Sequence, residues 1–237
     1  IWLGCSLGQA AAEELRIATG EYAPFTNSQA DDHGFVNAFV ADIADAAGYE
    51  ATFTYLPWAR TLGQTRTAQF DATSFWYHSP DRDADFIHVG PIMTDRLVFF
   101  RLRDTEIGNW STLADLTEHP IGVVPGYTYT PEFWSLGETG VLSLSEGPSD
   151  AANFKKLRAG RIDLLPISEA AGWSIIEAEF PADHRILFTV EERPVLVTEG
   201  FLLVPRTHPD ANNIATRLQD AVENDGALAS IATHQAN

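Results

Sequence analysis

Asp71-Ala72-Thr73-Ser74-Phe75-Trp76-Tyr77-His78-Ser79-Pro80-Asp81-Arg82 is the stretch on which the reading of this 237-residue chain turns. Ala72 to Trp76 is β-branched and aromatic enough for a buried strand, and Ser79-Pro80 breaks it. Side chains alternate across a strand, so three consecutive aromatics cannot all enter one core face, and at least one of Phe75, Trp76 and Tyr77 points away from it. Arg82 then arrives in a segment otherwise full of aspartate, and its planar five-donor fork suits a carboxylate or a phosphate. Aromatic walls with one guanidinium resemble a small-molecule cleft. Taken alone, the stretch favours a plainer reading, a core edge followed by a surface turn with Arg82 paired to Asp81, Asp83 or Asp85.

Upstream, Leu15–Thr19 alternates as a first strand and leads into Gly20-Glu21-Tyr22-Ala23-Pro24-Phe25. Phe35 to Ala47 puts Phe35, Val36, Phe39, Val40, Ile43, Ala44 and Ala47 on one helical face, with Asp42 and Asp45 opposite and Gly48 closing the helix. Ala51 to Leu56 is a second strand, and Pro57 opens a helix over 58–68. Downstream, 96–101 is extended, 109–116 is turn and short helix, and 121–124 is a buried strand. A helix over 149–159 starts at an N-cap, Ser149; 161–167 is a strand, and 168–180 is a helix with Trp173, Ile176 and Phe180 on one face. Segments 186–190, 195–198 and 200–204 are extended, and helices over 209–223 and 226–234 follow. Alternating strands and helices predict an α/β fold with parallel pairing. A second βα series after residue 100 predicts two lobes, with ligands beyond the carboxyl ends of strands, near Glu21-Tyr22, Trp76-Tyr77 and the Gly126-Tyr127 turn.

The composition fits a globular protein, with 45% hydrophobic residues and a formal net charge of −18. That charge repels nucleic acid and anionic membranes, so any anionic ligand must be met by a few placed arginines. Ile1-Trp-Leu-Gly-Cys-Ser-Leu-Gly followed by Gln9-Ala-Ala-Ala12 reads as the tail of an export signal, so residues 1–13 are excluded from the fold. Cys5 leaves lipid attachment open, although Trp2 makes a poor lipobox; if Cys5 is removed, no cysteine remains.

The order of short motifs along the chain resembles the bacterial extracellular solute-binding proteins of family 3, the periplasmic receptors for polar amino acids that serve ABC transporters. The matching pieces are Leu15-Arg-Ile-Ala with Tyr22-Ala-Pro-Phe25, Gly34-Phe35 with Asp42-Ile43, Trp58 with Phe70-Asp71, Ser79-Pro-Asp-Arg82 with Gly90-Pro91, Ile121-Gly-Val-Val-Pro-Gly126, and Leu157-Arg-Ala-Gly-Arg-Ile-Asp163. The resemblance implies a two-lobed periplasmic-binding-protein-like α/β fold of type II. Its first lobe would be 14–98 plus 197–237 and its second 99–196, with hinge strands through Leu97–Phe99 and Pro194–Leu196 closing over a solute.

It further implies that Tyr22 stacks on the solute, Arg82 grips its carboxylate, Phe75, Trp76 and Tyr77 line the site, and Tyr127 and Thr128 supply donors from the second lobe. Trp58 could wall the ligand and Arg60 add charge, or both could serve packing and solubility; Tyr129 and Trp173 are equally open. Where amino-acid binders carry an aspartate for the α-ammonium, this chain has Ser168, with Glu169 next, so either Glu169 substitutes or the solute, an amino acid or a relative, lacks a conventional α-amino group; the carboxylate is the expectation this stretch carries. No enzyme motif appears, no cofactor is expected, and His78 among Asp81, Asp83 and Asp85 reads as a solvated acidic loop, not a metal site. The expected function is capture of a small carboxylate-bearing solute by a monomeric periplasmic protein for an ABC permease. The alternatives are a lyase on the same scaffold resembling cyclohexadienyl dehydratase, using Glu169 or Glu21, and a sensory partner presenting its ligand to a receptor.

Overall fold

The computed structural model describes residues 12–224 except Gly126 and Thr128. In chain order the elements are β1 (Glu13–Thr19), α1 (Phe35–Ala46), β2 (Tyr49–Tyr55), α2 (Trp58–Arg66), β3 (Ala72–Tyr77), α3 (Pro80–Asp83) and β4 (Phe86–Leu102). A 3-10 turn at Leu113–Leu116 precedes β5 (Ile121–Val123), α4 (Pro131–Glu138), β6 (Leu144–Glu146), α5 (Asp150–Arg158), β7 (Leu165–Ser168) and α6 (Glu169–Glu179). The chain continues through α7 (Ala182–Arg185), β8 (Phe188–Val190), β9 (Leu196–Pro205) and α8 (Ala211–Asn224). The described residues form two compact units, one from 12–93 together with 200–224, the other from Thr94–Glu199.

In the first unit β1 pairs parallel with β2 from Glu13↔Tyr49 to Thr19↔Tyr55, and parallel with β3 from Ile17↔Ala72 to Thr19↔Ser74. The end of β9 runs antiparallel to β3, with the register offset between Thr73 and Trp76. α1 buries Val36, Phe39, Val40, Ile43 and Ala44, the face its 3.6-residue period prescribes, and leaves Asp42 and Asp45 exposed. Gly48, at φ +81°, stops it in the left-handed conformation that costs glycine least. The one polar side chain α1 fully buries, Asn37, accepts from Ser74 Oγ at 2.7 Å and donates to Tyr55 Oη at 3.1 Å. It thereby ties the helix to β2 and β3 with its amide satisfied. At the start of the decisive stretch, Asp71 accepts two side-chain bonds from Arg16, at 2.7 and 3.0 Å, and one from the Arg16 amide at 2.8 Å.

In the second unit β5 and β6 pair parallel, while β7 and β8 run antiparallel to the latter part of β4. Its core includes Phe99, Leu116, Ile121, Val123, Phe133 and Leu164.

The α/β class stands, but pairing is mixed: the parallel expectation holds for β1–β2, β1–β3 and β5–β6, whereas β4, β7, β8 and β9 pair antiparallel. The extended segment expected at 96–101 belongs to one 17-residue strand that runs straight through Gly90-Pro91. The separate segments 195–198 and 200–204 are likewise one strand, β9. α4 was not anticipated, although Thr130-Pro131 carries its start signal: Thr130 Oγ1 accepts from the Phe133 amide at 3.1 Å and Pro131 fills the first helical position. The strand expected over 161–167 is confined to β7, and the helix expected over 226–234 lies outside the described residues, as do Cys5 and most of the segment read as an export signal. No helix among the described residues is long and apolar enough to cross a membrane.

Candidate functional site

The parallel strands β1 and β3 deliver their carboxyl ends side by side, and the first unit's candidate residues gather there. Gly20, just past β1, has no room for a side chain: a Cβ would stand 2.5 Å from Trp58 Cδ2. The absent methyl lets the Trp58 indole, at the first position of α2, lie against the β1 backbone. Trp58 meets Trp76 edge to face at a centroid distance of 5.2 Å, and Trp76 Nε1 donates to Thr73 Oγ1 at 3.0 Å. Both indoles are half-buried.

Strand alternation puts Phe75 and Tyr77 on the other side of β3, where their rings meet edge to face at 5.6 Å. Tyr22 stacks on Phe25 at 5.1 Å and lies 6.4 Å from Phe75. Phe75 is 4% exposed, so its ring backs Tyr22 and Tyr77 from inside the core, whereas Tyr22 and Tyr77 are half-buried. Arg60 is exposed on α2.

Arg82 sits over the face of Trp76, 4.9 Å from guanidinium carbon to ring centroid, and Nη1 donates to the Tyr77 carbonyl at 2.6 Å. That bond and the π-face fix the fork without neutralising it. The aspartates around it are otherwise engaged: Asp85 pairs with Arg66 at 2.7 Å, and Asp83 lies 3.3 Å from His78 Nε2. Among the described residues Arg82 has no carboxylate within ion-pair distance. Burial lowers its pKa and the charge of Asp81 partly offsets the effect, yet a guanidinium lies so far above neutrality that it stays charged. The result is a half-buried, oriented cation whose remaining N–H groups can take an anion. The surface turn with Arg82 paired to a neighbouring aspartate, the plainer reading of this stretch, does not form.

In the second unit Ser168 is 1% exposed; it donates to Asp95 Oδ1 at 2.8 Å and accepts from the Ala171 amide as the N-cap of α6. Its hydroxyl is thus committed to holding a buried aspartate and a helix start. Glu169 pairs with Arg96 at 3.0 Å, and Arg96 also donates to the Glu192 carbonyl. A lyase built on Glu169 would have to break that pair to free its base. Glu21 accepts from the Ser28 amide at 3.2 Å.

Tyr127 is 42% exposed as a whole, while burial around its hydroxyl and the neighbouring Asp150 carboxylate push its pKa upward. Thr128 lies outside the described residues. Tyr129 is buried and accepts from the Val124 amide at 3.2 Å, which makes it a packing residue; its pKa is pushed up to about 12, chiefly by burial. Trp173 is 38% exposed and packs edge-on to Phe100 at 5.2 Å.

Asp150 escaped the sequence reading. It is the first residue of α5 after the N-cap Ser149, 5% exposed, with Oδ1 lacking any hydrogen-bond partner. Burial raises its pKa to about 6, and the neighbouring Tyr127 hydroxyl only partly opposes this. An acid directly after a serine cap normally complements the helix dipole from the surface, so sequence alone gives no sign of burial.

A surface concavity of about 500 Å³ near the start of α8, lined by Arg206, His208 and Asp210 among others, includes none of these residues.

No curated protein matches the chain. Among solved structures it is similar to an ancestral arginine-binding protein bound to arginine, at 14% identity and a TM-score of 0.72 over 94% of this chain and 98% of that one. It is similar to the second substrate-binding domain of a putative amino acid ABC transporter from Streptococcus pneumoniae, at 16% identity and a TM-score of 0.66 over 93% and 98%. It is also similar to a histidine kinase sensor domain with similarity to periplasmic binding proteins, at 16% identity and a TM-score of 0.72 over 94% and 96%. At such identities these structures establish the periplasmic-binding-protein-like fold alone. The family model for bacterial extracellular solute-binding proteins, family 3, matches residues 15–234, and the chain belongs to that family.

Proposed function

We propose that this protein captures a small carboxylate-bearing solute, an amino acid or a relative of one, outside the cytoplasmic membrane and serves an ABC permease. The observation that carries the reading is Arg82, a half-buried guanidinium oriented by Trp76 and the Tyr77 carbonyl and without a carboxylate partner among the described residues. Around it Tyr22, Trp58, Trp76 and Tyr77 offer half-buried aromatic surface for the apolar part of a solute, with Phe75 as backing. Aromatic walls with a few placed polar groups are the general form of a small-molecule site. The two functional lobes are 14–98 with 197–237, and 99–196. From the second, Tyr127, Thr128, Ser168 and Glu169 are the proposed contributors, with the Ser168 hydroxyl acting through Asp95.

Family membership and the substrate-binding relative support binding without chemistry. The commitment of Glu169 to Arg96 weighs against the lyase alternative. The test is a thermal-shift screen of amino acids, amines and organic acids. A ligand that binds only the native state raises the melting temperature, and Arg82→Ala should reduce the shift for carboxylates. A panel-wide absence of shifts, or shifts identical in Arg82→Ala, overturns the reading.

A further inference from the structure

Outside the aromatic cluster, the first unit assembles a constellation that sequence spacing conceals. His78 lies in the loop after β3, Asp83 closes α3, and His88 is the third residue of β4. One ligand atom from each lies within 4.8 Å of the other two. His78 Nε2 is 3.3 Å and His88 Nδ1 3.7 Å from the same oxygen, Asp83 Oδ1. We propose that His78, Asp83 and His88 form a divalent transition-metal site whose natural occupant is Zn²⁺, pinning the β3–α3 loop to β4.

The donor set is the first argument. Two imidazoles and one carboxylate are ligands of borderline softness that suit zinc and its neighbours, whereas calcium and magnesium call for oxygen alone. Spacing is the second. A tetrahedral zinc with ligands about 2.0–2.1 Å away keeps them about 3.3 Å apart, so both imidazole–carboxylate pairs already stand near the needed separation. Only the two imidazoles have to approach further, and His78, about half exposed, is free to rotate.

Preorganisation is the third. Phe201 lies edge-on to both rings, at centroid distances of 6.2 Å to His78 and 5.6 Å to His88, and the two imidazoles lie 5.2 Å apart. The His88 side chain is mostly enclosed, and its Nε2 is buried without a hydrogen-bond partner, which leaves Nδ1, facing Asp83, as its working nitrogen. Three protein ligands leave one position for water or an anion.

The test uses the chain stripped with a chelator and dialysed against ZnCl₂, with bound metal counted by mass spectrometry and affinity measured by calorimetry. His78→Gln and Asp83→Asn serve as variants, because both side chains are about half exposed and their loss leaves the core untouched; circular dichroism verifies the fold. The expected result is one Zn²⁺ per chain, bound about tenfold or more weakly by either variant, and a zinc-dependent rise in melting temperature in the wild type alone. No retained zinc, or equal retention by wild type and both variants, overturns the proposal; the latter would assign the metal to other carboxylates of this acidic chain.

Discussion

Replacing Asp150 with asparagine should make the protein more stable at pH 7 and leave it unchanged near pH 3. The carboxylate is buried at the start of α5, one oxygen has no partner, and its pKa is raised from 3.8 to about 6. The sign follows from proton binding: between those two values the folded state holds more protons than the unfolded state, so stability falls as pH rises through the interval. Above about pH 6 the penalty is complete. A shift of about two units at 1.36 kcal/mol each gives an upper bound of roughly 3 kcal/mol. The start of α5 favours a negative charge by about 0.3–1 kcal/mol, a contribution that asparagine gives up. Asp150→Asn should therefore gain about 1–3 kcal/mol at pH 7. Urea unfolding of both proteins at pH 3, 5 and 7 measures the difference directly. A variant less stable than wild type at pH 7, or a difference that does not change with pH, would refute the buried-charge reasoning.

Three further outcomes follow from the packing. Gly20→Ala should destabilise by about 1–3 kcal/mol and alter the near-ultraviolet dichroism of tryptophan, because the new methyl meets the Trp58 ring. Gly63→Ala, inside α2 with nothing within 4 Å of its Cβ position, should stabilise by about 0.5–1 kcal/mol in the same denaturation assay. Asp71→Asn should cost about 1–3 kcal/mol at pH 7. Burial alone would raise the Asp71 pKa, but the Arg16 hydrogen bonds outweigh it and the net shift is downward. That stability is present above the unfolded pKa and lost as pH falls through the lower folded value, so the gap between Asp71→Asn and wild type should close in strong acid.

Local periodicity explains what the sequence could tell. The buried face of α1 is written in Val36, Phe39, Val40 and Ile43, and the ends of β1 and β3 are marked by Gly20 and by Ser79-Pro80. What it could not tell depends on distant partners. A Gly-Pro pair commonly marks a turn, yet β4 continues through Gly90-Pro91. The antiparallel pairing of β9 with β3 joins residues more than 120 positions apart, and no local pattern encodes its direction. At the site, Arg82 was visible as an unusual cation among aspartates, but its freedom from them depends on Arg66 and His78 occupying Asp85 and Asp83. Ser168 marked where an expected aspartate is missing; the acid its hydroxyl holds, Asp95, comes from β4 and became visible only on folding.

The central claim is that Arg82 holds the carboxylate of a solute. Native mass spectrometry of the purified protein identifies any bound molecule, and calorimetry with that molecule then compares wild type with Arg82→Lys and Arg82→Ala. The expected result is a carboxylate-bearing ligand whose affinity falls about ten- to a hundredfold in Arg82→Ala, the worth of a charge-assisted hydrogen bond. Arg82→Lys should recover only part of the loss, because lysine keeps the charge without the fork. A ligand without a carboxylate, or one bound equally well by Arg82→Ala, would contradict it.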